Sequence, residues 1–495
     1  MRIFRVFCLL CICSFGFGAE KSIQLRADEY PGTSLAYVVQ EVQSGKLLAE
    51  MNSAQALVPA SLSKLLTTGA ALEILGPEKR FKTELAYRGL LENGSLKGNL
   101  YILGGGDPSL GSEYTEEQAG LFLQDWVQAV KQLGISRIEG DIVADPSLFD
   151  EEAVSPYWLW EDMGNYYAAG VYGLAVFDNM FRLGLKSGLP GTKPEILYLK
   201  PALPEMRIIN NLIAKDNAKD SAYFYGVPYR WERVLYGSLP AGREEFVIKG
   251  DIPDPPAYLA FRLQQELIKA GIDVQGRALS KQEPGSICKE PGFFPKEYVN
   301  SANNPQADHE AVVFYTGYSK PLGELVKIIN YRSHNVYTEY LLRHLALAAG
   351  AKAPVSAREG LEALQRFWSG KGVDISAWQL YDASGLSPLN RLDAASLAQV
   401  LRYMALESPQ VGLFSGSLPQ AALEGTVADF GKTLPGTLRM KSGSMKSVTN
   451  YAGYWRLEDK TYAVVLLCNQ HKQPAARIRR DMEQLLRTIY NKGLK

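Results

Sequence analysis

Segments with the composition of β-strands lie near both ends of this 495-residue chain and can belong to one sheet. The first two are separated by Ser44-Gly45, which is typical of a hairpin turn. The last two flank a short polar run at 458–460. The five segments are 34–42, 46–50, 437–440, 451–457 and 461–468. Because short turns can connect neighbours at each end, they predict a five-stranded antiparallel sheet assembled from both termini.

Helices are predicted near the C-terminal strands. The segment 475–490 carries apolar residues at helical spacing, which would let it cover one face of the sheet. These residues are Ile478, Met482, Leu485, Leu486 and Ile489. Two further helix-like segments cover 322–330 and 336–349.

The middle of the chain has a different pattern, with short strand-like runs, glycines and prolines. Pro253-Asp254-Pro255-Pro256, for example, is expected to form a turn. If both ends share one sheet, this middle part must be an insertion or a second layer. The sequence therefore predicts an α/β (α+β) chain with a discontinuous domain at 20–85 and 307–495. Residues 86–306 form a mainly-β insertion of two nested subdomains.

The first 19 residues resemble a secretory signal peptide. Arg2 and Arg5 precede an apolar run at 6–17, which is short for a membrane span. A membrane anchor is the alternative. Cleavage would leave only Cys288 and Cys468, so at most one disulfide is possible and their pairing stays open. The mature chain is expected to be periplasmic or otherwise extracytoplasmic.

Charge and histidine content exclude several classes of function. Lys and Arg total 53 and Asp and Glu total 53, which argues against nucleic acid as a partner. The four histidines do not show the H-x-x-x-H spacing of a helical metal site. We therefore expect no metal and no cofactor.

Ser61 and Lys64 form an S-x-x-K motif at the start of a predicted helix. Residues three apart lie on one helix face, so the amine can reach the hydroxyl. That arrangement suits a nucleophile and its base. The alternative is that the serine only caps the helix and the lysine is solvated. A second S-x-x-K sequence, Ser286 to Lys289, lies among glycines and prolines and is not followed by a predicted helix.

Two further short motifs follow in chain order. Ser333-His334-Asn335 lies between two predicted helices and could direct a hydroxyl and an amide into one pocket. Lys441-Ser442-Gly443-Ser444 lies on a predicted strand and offers a cation, hydroxyl donors and close backbone approach to an anion. Similar sequences occur at 301–303, where an ordinary turn would explain the S-x-N pattern, and at 186–188, where Leu189-Pro190 follows.

The three motifs in this order, each in a suitable element, form the signature of penicillin-binding proteins and serine β-lactamases. The chain resembles class C low-molecular-mass penicillin-binding proteins, the D-alanyl-D-alanine carboxypeptidase/endopeptidase family. Four other segments match patterns of that family. They are 106–110 (GDPSL), 158–163 (WLWEDM), 382–391 (DASGLSPLNR) and 425–427 (GTV). The long interval between Lys64 and Ser333 also resembles the family's inserted domains, whereas Ser442 stands where the family commonly has threonine.

This resemblance implies a penicillin-binding, β-lactamase-like transpeptidase fold and a serine DD-peptidase that cuts D-Ala-D-Ala in peptidoglycan through an acyl-enzyme. Ser61 would attack the peptide carbonyl with Lys64 as base, since burial and the nearby cation Lys441 favour a neutral lysine. Ser333 would return the proton to the leaving amine. Asn335 would orient Lys64 and the substrate amide.

The resemblance also implies the substrate contacts. Lys441, Ser442 and Ser444 would hold the terminal carboxylate beside Gly443, and the N–H groups of Ser61 and Ser444 would form the oxyanion hole. Asp162 would bind a free amine on the peptide stem, with Met445 lining the same pocket.

The expected partners are peptidoglycan peptide stems and β-lactam antibiotics as covalent inhibitors. A serine β-lactamase and a non-catalytic cell-wall binding protein are the alternatives. The balance of carboxypeptidase and endopeptidase action, cleavage of D-Ala-diamino acid cross-links, the oligomeric state and the role of the inserted domains stay open.

Overall fold

A computed structural model describes residues 31–115, 120–281 and 311–493. The strands found there are β1 (Ser34–Glu41), β2 (Leu47–Met51), β3 (Lys82–Glu92), β4 (Ser95–Gly104), β5 (Arg137–Ile138), β6 (Ile142–Asp145), β7 (Met180–Ser187), β8 (Glu195–Lys200), β9 (Arg207–Asn210), β10 (Ile213–Lys215), β11 (Tyr223–Tyr225), β12 (Glu232–Tyr236), β13 (Ser238–Pro240), β14 (Arg243–Asp251), β15 (Asp273–Val274), β16 (Ala278–Ser280), β17 (Val312–Tyr318), β18 (Thr437–Met445), β19 (Val448–Leu457) and β20 (Lys460–Asn469). The helices found there are α1 (Ser63–Ile74), α2 (Leu121–Gln132), α3 (Pro255–Lys269), α4 (Leu322–Arg332), α5 (Asn335–Ala348), α6 (Ala357–Gly370), α7 (Ala394–Leu406), α8 (Val411–Ser417) and α9 (Ala475–Gly493).

The two ends of the chain share one antiparallel sheet, as predicted. Its order is β18-β19-β20-β1-β2. The N-terminal strand β1 pairs with β20, placing Ala36 opposite Leu467. Strand β18 is longer than its predicted segment 437–440 because the motif residues themselves pair with β19, with Ser442 opposite Tyr451.

Both faces of this sheet are covered. Ala36 and Val38 point toward helices α1, α4, α5, α6 and α7, in a core with Leu65 and Leu341. Alternate residues such as Val39 point toward the other face, where α9 packs. All five apolar α9 residues predicted from their spacing are buried there. Burying a side chain of this size stabilises the fold by about 1.5–3 kcal/mol, so α9 is held mainly by this face.

A second core lies in the middle of the chain. Strands β15-β5-β4-β3-β17, with β6 and β16 beside them, form a seven-stranded sheet. Smaller sheets follow in the orders β14-β7-β8, β11-β12-β9 and β10-β13. Helices α2 and α3 pack in the same core. Strand β3 runs across residue 85, the predicted end of the first domain segment, and pairs with β17. The predicted domain limits stay a prediction.

Several predicted features lie outside the described residues. They are the signal peptide at 1–19, Cys288, the second S-x-x-K sequence at 286–289 and the second S-x-N sequence at 301–303. Cys468 is buried in β20, where burial raises its thiol pKa to about 12. Among the described helices, none is both long and apolar enough to cross a bilayer.

Candidate active site

Ser61 lies in a 3₁₀ turn, Ala60–Leu62, that leads directly into α1. The first turn of α1 brings Lys64 under this serine, and Lys64 Nζ is 2.9 Å from Ser61 Oγ. Ala60 adopts a left-handed conformation with φ of 48°. That conformation is costly for a residue with a Cβ, so the surrounding packing must hold the turn. The S-x-x-K spacing therefore produces the predicted contact.

Lys64 is completely buried. Burial lowers its pKa to about 7, although the carboxylates of Asp382 and Glu339 oppose this shift. Repulsion from Lys441 was also expected to lower the pKa of Lys64. That repulsion acts on Lys441 itself, whose pKa is lowered well below its usual value by burial and by Lys64. A large fraction of Lys64 is thus neutral near pH 7 and able to accept a proton.

Lys441 connects the other two motifs. It lies in β18, and its Nζ donates hydrogen bonds to Ser333 Oγ at 2.8 Å and to the carbonyl of Ser442 at 2.7 Å. Ser333 ends α4 in a left-handed conformation with φ of 58°. The hydroxyl of Ser442 donates to Thr426 Oγ1 at 2.7 Å, so the serine at this position has a side-chain partner.

Gly443 brings β18 against the turn that carries Ser61. A Cβ on this glycine would lie 2.5 Å from the carbonyl oxygen of Pro59 and 3.2 Å from the nitrogen of Leu62. A real Cβ does not fit at 2.5 Å from a backbone oxygen. The glycine of the K-S-G motif is therefore needed for the close approach of β18 to the turn that carries Ser61, and its predicted approach to an anion stays a prediction.

One cavity of about 920 Å³ brings most of the predicted site residues together. It is lined by Ser61, Asp162, Ser333, Asn335, Ser444 and Met445, among other residues. Lys64 and Lys441 are buried just behind it and contact Ser61 and Ser333. The three motifs, distant in sequence, thus meet at one cavity.

Asn335 begins α5 and donates from Nδ2 to the carbonyl of Tyr167 at 2.7 Å. Lys64 Nζ donates to Ser61 Oγ at 2.9 Å and to the carbonyl of Ser384 at 2.5 Å, so the role of Asn335 at Lys64 stays a prediction.

Asp162 presents an unsatisfied carboxylate oxygen. Tyr167 donates from its hydroxyl to Asp162 Oδ1 at 3.2 Å, while the buried Oδ2 has no hydrogen-bond partner among the described residues. Burial raises the pKa of this carboxyl group. A buried acceptor without a partner is costly, and a cationic ligand group in the cavity would supply one.

Glu339 was not identified from the sequence. It lies one turn after Asn335 on α5 and is buried. Its Oε1 accepts hydrogen bonds from the backbone nitrogens of Ala383 at 3.0 Å and Ser384 at 2.7 Å. Burial raises its pKa to about 7. Glu339 therefore fixes the loop whose Ser384 carbonyl contacts Lys64. The sequence signal for a role at the site was its position four residues after Asn335, on the same face of α5.

Asp178 was also missed. It is buried in a turn of three left-handed residues, 177–179. Its Oδ1 accepts from the Tyr337 hydroxyl at 2.8 Å and lies 3.9 Å from His334 Nε2. His334 Nδ1 accepts from the backbone nitrogen of Tyr337 at 3.3 Å. Burial lowers the pKa of His334 to about 3, so this histidine is neutral and caps α5. No local sequence pattern indicated this contact.

Acidic, histidine and cysteine residues do not gather in a group of three or more that could hold a metal in the described ranges. The geometry suits acyl transfer: a hydroxyl beside a buried amine, a second buried amine, and an open cavity.

Comparison with known proteins agrees with this chemistry. A profile of the D-Ala-D-Ala carboxypeptidase 3 (S13) family matches residues 21–291 and 287–489. The chain belongs to this family. It is therefore a serine-type D-Ala-D-Ala peptidase, a hydrolase, as predicted. Membership favours this function over the two alternatives, a serine β-lactamase and a non-catalytic wall-binding protein.

Relatives of the S13 family match over most of the chain. The chain is 26% identical over 431 residues to the D-alanyl-D-alanine carboxypeptidase DacB of Haemophilus influenzae, covering 86% of this chain and 82% of that protein. It is 26% identical over 457 residues to a D-alanyl-D-alanine carboxypeptidase of Actinomadura, covering 90% and 79%. The crystal structure of penicillin binding protein 4 (dacB) from Haemophilus influenzae matches with a TM-score of 0.76 and 24% identity, over 94% of this chain and 98% of that one. This match confirms the predicted fold class.

Proposed function

We propose that the chain hydrolyses D-Ala-D-Ala bonds in peptidoglycan peptide stems through an acyl-enzyme on Ser61. D-Ala-diamino acid cross-links present the same D-Ala carbonyl to Ser61 with a different leaving amine, and are proposed as further substrates. The observation that carries this proposal is the buried Lys64 amine, with a pKa of about 7, held 2.9 Å from Ser61 Oγ. An ordinary serine hydroxyl is a poor nucleophile, and such a base activates it at neutral pH.

The acylation step uses these two residues and Ser333. Ser61 Oγ attacks the carbonyl carbon between the two D-alanines, and its proton passes to Lys64 Nζ. The carbon–nitrogen bond then breaks, leaving the acyl group on Ser61 Oγ. The leaving amine takes a proton from the Ser333 hydroxyl, which Lys441 Nζ holds at 2.8 Å, and the proton that Lys64 accepted replaces it on Ser333. Water then attacks the ester while Lys64 Nζ takes its proton. That proton passes to Ser61 Oγ as the bond between the acyl carbon and Ser61 Oγ breaks, which releases the shortened stem and restores both Ser61 and Lys64.

The terminal carboxylate is assigned to the edge of β18. Lys441 supplies positive charge behind this edge. The Ser444 hydroxyl supplies a donor, and the Ser442 hydroxyl supplies a second one by turning from Thr426 Oγ1 to the carboxylate. A carboxylate partner would stabilise the charged form of Lys441, whose pKa burial lowers in the free protein. The backbone N–H groups of Ser61 and Ser444 are assigned to the oxyanion.

Asp162 is assigned to a free amine on the peptide stem. Its Oδ2 is buried and lacks a partner among the described residues, and Met445 lines the same cavity. An ammonium group would form an ion pair and satisfy that oxygen. This assignment selects stems that carry a diamino acid.

β-Lactams are proposed as covalent inhibitors, because their strained amide presents the same carbonyl to Ser61. The penicillin binding protein 4 of Haemophilus influenzae, 23% identical to this chain, has been solved complexed with a β-lactam. Because peptidoglycan lies outside the cytoplasm, the proposal places the mature chain there after cleavage of the signal peptide at 1–19.

Mass spectrometry of the intact protein with a β-lactam tests the nucleophile. We expect the mass of one acyl group in the parent protein and none in Ser61→Ala. Ser63→Ala is the matched control, because Ser63 lies only two residues away but is buried and does not line the cavity. Acylation that survives Ser61→Ala would contradict the proposal. Rapid release of the acyl group, with turnover of a chromogenic cephalosporin, would instead identify a β-lactamase.

A further inference from the structure

Four aromatic side chains form an exposed surface beside the cavity, which we call the aromatic shelf: Trp160, Tyr223, Tyr225 and Tyr236. Trp160 is 63% exposed, Tyr236 53% and Tyr223 44%. The rings of Trp160 and Tyr225 stack with centroids 6.3 Å apart, and those of Tyr225 and Tyr236 are 5.9 Å apart. The rings of Trp160, Tyr225 and Tyr236 are therefore contiguous rather than scattered.

Strand alternation explains why the tyrosines share one face. Strands β11 and β12 are antiparallel, with Tyr223 directly opposite Tyr236. The intervening residues Phe224 and Leu235 are 1% and 0% exposed, since they point into the second core. Side chains two apart on a strand lie on the same face, so Tyr225 joins the other two tyrosines on the outer side.

The shelf is continuous with the cavity. Trp160 lies in the 3₁₀ turn Trp160–Asp162, and its neighbours Leu159, Glu161 and Asp162 all line the cavity while Trp160 faces outward. A stem bound at Asp162 therefore reaches the surface within one helical turn of the Trp160 ring. Whatever polymer carries that stem leaves the cavity next to the shelf.

Two opposite charges on the strands that flank the shelf are paired. Arg207 and Glu232 face each other on neighbouring strands β9 and β12 and form an ion pair at 3.1 Å. A surface of flat rings with paired charges suits an uncharged ligand and offers little to anionic lipid headgroups. A contiguous exposed apolar patch is typical of a surface that binds a ligand or a partner.

We propose that the aromatic shelf binds sugar rings of the glycan strand to which the peptide stem is attached. One face of an amino-sugar ring presents C–H groups with slight positive charge, and these stack on the electron-rich face of an indole or phenol. The sugar's hydroxyl and amide groups stay at the ring edge, where tyrosine hydroxyls can pair with them. This inference rests on the proposed function, which supplies the polymer, and assigns a task to part of the inserted region.

Binding of glycan strands stripped of their peptide stems tests the shelf separately from hydrolysis. The measurement uses the full chain with Ser61→Ala, so that no reaction occurs. Adding Trp160→Ala or Tyr236→Ala is expected to weaken binding about tenfold each, as loss of one stacking contact predicts. Tyr318→Ala is the matched control, since Tyr318 is 65% exposed at the end of β17, outside the shelf, and it should bind as the parent does.

Trp160→Ala could weaken binding indirectly by displacing Asp162, which lies in the same turn. Tyr236→Ala tests the shelf without this effect, because Tyr236 lies on β12. In chains that keep Ser61, Tyr236→Ala is expected to lower kcat/KM on intact peptidoglycan about tenfold more than on a soluble pentapeptide. Failure of the unmodified chain to cut the pentapeptide would refute the proposed function, whereas the glycan measurement does not depend on it.

Three results would overturn the shelf proposal. The first is absence of glycan binding by the Ser61→Ala chain. The second is equal binding by the Trp160→Ala, Tyr236→Ala and Tyr318→Ala chains. The third is a dimer in sedimentation that Trp160→Ala and Tyr236→Ala disperse without any change in glycan binding, which would make the shelf a contact between two copies of the chain.

Discussion

Trp158 and Asp382, 224 residues apart in the chain, are joined by a buried hydrogen bond of 2.8 Å from the indole Nε1 to carboxylate Oδ2. The same carboxylate accepts hydrogen bonds from the backbone N–H groups of Gly385 at 2.7 Å and Ser387 at 2.6 Å. The segment that carries Trp158 is thereby fixed to the loop whose Ser384 carbonyl contacts Lys64. The aspartate of the D-x-S-G-L-S segment is thus an anchor for the loop beside the active site.

Replacing Trp158 by phenylalanine removes this hydrogen bond and leaves a charged acceptor with one partner fewer. We expect the free energy of unfolding to fall by about 1.5–3 kcal/mol, measured by urea denaturation. Trp378→Phe is the matched comparison, because Trp378 donates to the neutral hydroxyl of Ser396 at 2.8 Å. That change should cost about 0.5–1.5 kcal/mol; a larger loss for Trp378→Phe would contradict the ranking.

Gly443→Ala introduces a Cβ at 2.5 Å from the carbonyl oxygen of Pro59. Because backbone must move to relieve this contact, β18 and the turn carrying Ser61 should separate, and acylation by a β-lactam should slow about 100-fold. Gly412→Ala in α8 is the control, since nothing lies within 4 Å of its added Cβ. Equal acylation rates in the two variants would show that close approach at Gly443 is not required.

Asp162→Asn keeps the shape of the side chain but removes its charge. For stems with a free side-chain amine, we expect KM to rise about tenfold or more, the cost of losing one charged hydrogen bond. For the same stems with that amine acetylated, KM should stay within about twofold of the parent value. Steady-state hydrolysis of both peptides provides the measurement, and an equal rise for both would remove the assigned role of Asp162.

Glu339→Gln tests how the buried charges set the pKa of Lys64. The carboxylate of Glu339 raises that pKa against the effect of burial, so removing the charge should lower it. The pH at which acylation reaches half its maximal rate should therefore shift downward. Glu362→Gln makes the same change on the exposed side of α6 and should leave the midpoint in place. An upward shift in Glu339→Gln would contradict this electrostatic account.

Local patterns predicted the sheet and its covering helix well. The strand composition, the short turns between strands and the apolar spacing of α9 depend on near neighbours in sequence, and the sheet and the helix that they predicted were both confirmed. The turn predicted at 253–256 was wrong in its second half: Asp254 caps α3, and Pro255 and Pro256 occupy its first turn. Proline is tolerated there because the first helical N–H groups need no intrahelical partner.

The motif positions in the site were predictable, whereas their supports were not. Ser61 and Lys64 contact each other because their spacing is local. Glu339 and Asp178 act through contacts with Ser384 and Tyr337, which only the tertiary fold brings near. The largest cause of the lowered Lys64 pKa is burial, and a sequence does not state how deeply a lysine will be buried.

The rate of acylation by a β-lactam as a function of pH tests the central claim, that burial makes Lys64 a base at neutral pH. With a Lys64 pKa of about 7, the rate should rise through pH 6 to 7, reach half its maximum near pH 7 and level off above about pH 8, since the neutral amine is the active form. A rate that keeps rising about tenfold per pH unit up to pH 9, as a lysine of ordinary pKa near 10.4 requires, would contradict it.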